Sequence, residues 1–86
     1  MLYKYAANFY LDSDNSYYCK FPDLEGCFSS GETISEAIVN ASEALQGYLE
    51  TCLSENIDFP KARDISVVKD EKADFTNYIT ADINLT

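Results

Sequence analysis

If the middle of this sequence is helical, Glu36, Asn40, Glu43 and Glu50 fall on one stripe, with Gly47 among them. Carboxylates can ligate metal ions for hydrolysis, or they can meet a positively charged surface. Two-metal phosphodiester hydrolysis needs acids converging from several elements onto ions about 4 Å apart. The first apolar-alternating stretch, Leu2 to Leu11, contains no acid, and Asp12 and Asp14 come only in the turn beyond it. Glu43 and Asp82 are two scattered acids among fifteen, a coincidence that composition alone produces. No metal site is therefore expected.

Nucleophilic chemistry is as poorly equipped. Cys19, Cys27 and Cys52 have no histidine anywhere in the chain to deprotonate them, and none forms a C-x-x-C pair. Packing within a reduced interior is their expected role, with no disulfide framework and no zinc site. The segment GETISEA is led by glycine and opens a helix, which could hold an anion. Glu32 and Glu36 already place negative charge at that end, and a phosphate-loop lysine is missing. The chain is read as a non-enzyme, with no catalytic residue and no cofactor.

The elements that position the stripe follow from periodicity. Tyr3, Tyr5, Ala7, Phe9 and Leu11 alternate on one face of a first strand, with Lys4 and Asn8 on the other. The polar run DSDNS turns the chain, and Tyr17, Cys19 and Phe21 form the second arm of a hairpin. PDLEG reverses it again, with Gly26 free to take positive φ. Cys27 to Ser30 makes a short third strand. Thr33 and Glu36 match a capping box, and the helix they open runs to about Leu53. Its apolar stripe is Ala37, Ile38, Ala41, Leu45, Tyr48, Leu49 and Cys52. Pro60 bars further helix, and Ile65 to Asn77 has no clear period. A last strand places Ile79, Ala81, Ile83 and Leu85 inward, with Thr80, Asp82 and Asn84 outward. The β-β-β-α-β order predicts an α+β fold, a small mainly antiparallel sheet packed on one long helix.

Composition narrows the partners. Eighty-six residues make one small domain, and twelve aromatics (seven Tyr, five Phe) must supply much of its core. Fifteen acids against six bases leave a net charge of −9, which repels phosphate backbones and suits a basic protein. Direct binding of nucleic acid by this chain is not expected. The opening residues lack the pattern of a signal peptide, and no apolar run is long enough to span a membrane. A cytoplasmic protein is expected.

The run Phe21-Pro22-Asp23-Leu24-Glu25-Gly26-Cys27, then Gly31-Glu32-Thr33, Glu36-Ala37 and Ala41-Ser42-Glu43-Ala44-Leu45, resembles HicB-family antitoxins. The aromatic first strand and the closing strand sit where that family places them. The resemblance implies a partial ribonuclease-H-like fold that binds and neutralises HicA, a small basic toxin that cleaves RNA. Many members continue into a DNA-binding domain. This sequence ends at Thr86, where that domain would begin, as an excised N-terminal domain or a short variant would. A single HicB-like domain over residues 1–86, with no C-terminal DNA-binding half, is thus expected.

The expected function is that of a type II antitoxin covering the toxin's active surface. A stand-alone protein-binding or regulatory domain is the alternative, and a homo-oligomer is expected. The acidic stripe of Glu36, Asn40, Glu43 and Glu50 is the candidate toxin-binding surface, although most such stripes are simply solvated helix faces. The acidic loops at Asp12/Asp14 and Asp70/Glu71/Asp74 are weaker candidates.

Overall fold

The computed structural model describes residues 1–84. Four strands, β1 (Leu2–Leu11), β2 (Tyr17–Lys20), β3 (Phe28–Gly31) and β4 (Phe75–Asp82), form one antiparallel sheet in the order β3-β2-β1-β4. Helix α1 (Ile34–Ser54) crosses one face, and a short helix α2 (Ile65–Val68) precedes β4. β1 is the long central strand because its alternating apolar residues have partners on both edges. It pairs with β4 from Leu2↔Asp82 to Phe9↔Phe75, and with β2 from Asn8↔Lys20 to Leu11↔Tyr17.

The core lies between the sheet and α1. Tyr5, Ala7 and Phe9 of β1, Cys19 of β2 and Ile79 and Ala81 of β4 meet Ala37, Ala41, Leu45 and Leu49 of the helix. Alanine at two of those helix positions lets the helix lie close to the sheet. Each fully buried leucine contributes about 1.5–3 kcal/mol. Aromatic stacking closes the far end, with Phe9 and Phe75 rings 4.6 Å apart and nearly parallel.

The two predicted turns take the expected geometry. Asn15 adopts φ 67° in the DSDNS turn, and Gly26 adopts φ 83° in the PDLEG corner. Successive bonds tighten that corner: Leu24 N–H donates to the Phe21 carbonyl and Cys27 N–H to the Leu24 carbonyl, each at 3.0 Å. A buried anchor also lies there. The Asp23 carboxylate accepts the Arg63 backbone N–H at 2.9 Å and pairs with the Arg63 guanidinium. This tie holds the segment between the helices against the corner.

Several expectations need correction. Leu11, expected inside, is 46% exposed, because the sheet extends past the end of the helix layer there. Asn8, expected on a wet face, is buried. Its side chain donates to the Val68 carbonyl at 3.1 Å and accepts from Asp70 N–H and Thr76 Oγ1. The unreadable stretch explains this, since its short helix α2 covers the sheet face opposite α1. Cys27 precedes β3 rather than belonging to it, and Ile38 is part of an exposed flank rather than the core. β4 starts earlier than expected, at Phe75. Ile83 is buried as expected, while Leu85 lies outside the described residues.

Candidate partner-binding surface

The helix start is built as the capping box requires, with one variation. Thr33 Oγ1 accepts Glu36 N–H at 3.1 Å, while the Glu36 carboxylate reaches the backbone N–H of Glu32 at 3.2 Å rather than that of Thr33. One turn later, Asn40 Nδ2 donates to the Ser30 carbonyl at 2.8 Å and ties the helix to edge strand β3. The predicted stripe therefore divides. Its first half, Glu36 and Asn40, is engaged in holding the helix in place. Its second half is free: Glu43 is exposed and Glu50 half-buried, and neither makes a hydrogen bond or ion pair among the described residues.

Apolar grooves flank this crest. On one side a groove of about 450 Å³ runs between α1 and the PDLEG corner, past Ala44, Gly47 and Tyr48 of the helix and Phe28 and Ile57 opposite. Tyr48 O–H donates to the Glu25 carbonyl at 2.9 Å and fixes one wall. On the other side Ile38, Val39 and Tyr78 line a groove of about 370 Å³ against β4. The open edge of β4 is partly closed by side chains. Ser42 Oγ donates to the Thr80 carbonyl at 2.6 Å, and Asn77 Oδ1 accepts Tyr78 N–H at 2.8 Å. Such bonds blunt an edge against unwanted strand pairing.

Charge is segregated between the layers. From Phe21 to Pro60 there are eight acids and no lysine or arginine. That run contains β3 and all of α1. The bases lie elsewhere. Lys4 sits over the Tyr78 ring and Lys20 over Tyr18, on the sheet face opposite α1. Lys61, Arg63, Lys69 and Lys72 belong to the segment that leads to and covers that face. This division was visible in the sequence as a forty-residue stretch without a base, a signal the spacing of individual acids did not bring out.

The other candidates have structural work. Asp70 accepts the Tyr10 hydroxyl at 2.6 Å, and that bond above all holds its carboxyl below the usual carboxylate value. Burial, then the bond to Asp70, pushes Tyr10 up to about 12. Asp74 accepts Leu11 N–H at 2.6 Å, and Asp14 is held low by the Ser16 hydroxyl and N–H. The three cysteines are free and buried, with burial pushing Cys19 and Cys27 up to about 11. Neutral thiols of this kind are poor nucleophiles. Among the described residues no three acid or thiol side chains converge as a metal site would need, and Glu43 and Asp82 gain no third partner.

Known proteins share both the sequence pattern and the fold. Residues 5–86 match the family described as HicB-like antitoxin of bacterial toxin–antitoxin system. A 14.9 kDa protein from the rep–hol intergenic region of Haemophilus phage HP1 is 36% identical over 75 residues, 85% of this chain. The chain spans only 56% of that phage protein's length. Among solved structures, a chain of a toxin–antitoxin complex from Streptococcus pneumoniae superposes with a TM-score of 0.83 at 29% identity. The match covers 95% of this chain and 70% of that one. The N-terminal domain of Burkholderia pseudomallei antitoxin HicB gives 0.70 at 25% identity, covering 95% and 99%. The α+β architecture, a four-stranded antiparallel sheet under one long helix, is that of the HicB N-terminal domain.

Proposed function

This chain belongs to the HicB-like antitoxin family, and on that premise we propose that it binds and neutralises a small, basic, HicA-like toxin that cleaves RNA. The antitoxin acts as a stoichiometric cover over the toxin's active surface and not as a catalyst. Acidic side chains of α1 stand where RNA phosphates would otherwise bind, so inhibition combines occlusion with charge competition. The observation that carries this reading is the base-free run from Phe21 to Pro60, which makes the helix layer uniformly acidic. Attraction between opposite charges steers encounter and suppresses wrong partners.

The toxin-facing residues are those of the stripe: Glu43 and Glu50 as free carboxylates, with Glu36 and Asn40 at the helix entrance. The complex forms in the cytoplasm, where its RNA-cleaving target works. Homo-oligomers use surfaces away from α1, because two acidic helix faces repel. Nucleic acid is not a direct partner, since a net charge of −9 repels phosphate backbones and outweighs the six bases on or leading to the face opposite α1.

The test is a charge reversal. Changing Glu36, Glu43 and Glu50 to lysine removes one capping bond, worth about 1 kcal/mol, and otherwise alters only surface positions. The variant stays folded, and binding to a small basic HicA-like toxin falls by at least tenfold. A folded triple-lysine variant with unchanged affinity would move the docking surface off α1.

A further inference from the structure

Gly47 lies deep inside the 21-residue helix α1, where glycine is a poorer helix former than any residue except proline. Nothing among the described residues calls for it. Its φ lies outside the left-handed region that favours glycine, and a Cβ built there meets no atom of the described residues within 4 Å beyond its chain neighbours and the helix's own backbone. Gly31 is the contrast, because a Cβ there would strike the backbone of Ala37. The absent side chain at Gly47 instead deepens the groove between α1 and the corner, and lets an outside group approach the helix backbone.

The groove has further marks of an unfilled contact. Phe28 is 68% exposed and Ile57 51% exposed at its borders, an apolar display that stabilises nothing in the isolated chain. Its rim carries a single sign of charge. Glu50 lies one turn after Gly47 and Glu25 adjoins Gly26 of the opposite wall, while Glu43, one turn before Gly47, stands on the crest between this groove and the one against β4. No base lies anywhere in the segments that build it. A second copy meeting this groove with its own would bring like charge to like charge, so the groove suits an occupant of opposite sign.

We propose that this groove is an anchor pocket for a basic protein partner: one large apolar side chain of the partner enters beside Gly47, and flanking lysine or arginine side chains reach Glu43 and Glu50. A buried apolar anchor ringed by charge pairs is the arrangement that concentrates binding energy in protein interfaces. The inference rests on the antitoxin reading and adds to it where the toxin's contact is centred.

The experiment compares the chain with its Gly47→Leu variant against a small basic HicA-like toxin, by thermal melting and by calorimetric titration. Leucine is a strong helix former entering open space, so the variant melts at or above the wild-type temperature. With the groove filled, Kd rises at least tenfold. Should leucine disturb the fold, Gly47→Gln reads the same pocket with a polar chain that still fills it. A folded variant that binds within twofold of wild type overturns the pocket, while wild-type binding leaves the antitoxin reading standing. Wild-type chain that does not bind the basic protein at all overturns the antitoxin reading and this occupant together. A Gly47→Leu change that only dissociates a homodimer, with basic-protein binding unchanged, assigns the groove to a second copy and overturns the proposal.

Discussion

Replacing Gly31 by alanine probes the joint on which the whole helix layer depends. The added Cβ would lie 2.4 Å from Ala37 N, 2.7 Å from Ala37 Cα and 2.8 Å from the Glu36 carbonyl carbon. Carbon contacts settle near 3.5–4.0 Å, so the first turn of α1 must retreat by about 1 Å. It cannot retreat freely. Thr33 and Glu36 cap it, Asn40 ties it to Ser30, and Ala37 is fully buried behind it. Overpacking against movable side chains costs about 1–3 kcal/mol, and a backbone obstacle places Gly31→Ala near about 3 kcal/mol. A chain of this size has a total stability of only about 4–13 kcal/mol at typical per-residue values. At about 4–8 °C per kcal/mol, Tm should fall by about 12–24 °C. Circular dichroism melts measure it directly. A variant melting within about 3 °C of wild type would mean that α1 does not press on β3 as described.

Two other perturbations have signs set by the same structure. Gly26→Val forces a β-branched residue into φ 83° and should cost about 1–3 kcal/mol in chemical denaturation, whereas an unchanged midpoint would refute the corner. Alkaline pH should also unfold the domain. Cys19 and Cys27 rise from 9.0 to about 11 and Tyr10 from 10.0 to about 12, so their contribution is complete below the unfolded values and is lost as pH climbs through the folded ones. Tm should therefore decline from pH 9 upward, and Cys19→Ala should flatten the first part of that decline. A slope identical in the variant would contradict the burial of that thiol.

Local signals were readable where neighbours along the chain decide the outcome. Thr33 and Glu36 announced the helix start, and Gly26 announced the corner, because both rest on bonds within a few residues. Alternation correctly divided β1 into two faces but could not give their depth. Asn8 is buried because Val68 and Asp70, sixty residues away, cover it, and Leu11 is exposed because the helix layer stops short. For the same reason the stripe could be drawn from spacing while its division could not. Asn40 is committed to Ser30 only because β3 passes beside α1. Gly31 and Gly47 look alike in sequence, and only the distance to surrounding atoms separates a close approach from an open groove.

The central claim is neutralisation, and titrating RNA cleavage tests it most directly. A small basic HicA-like toxin is incubated with RNA, and cleavage is followed as the chain is added. Cleavage should fall linearly and stop near one chain per toxin, with inhibition weakening as salt rises because acidic α1 meets a basic surface. Cleavage that continues unchanged under a large excess of folded chain would contradict the account.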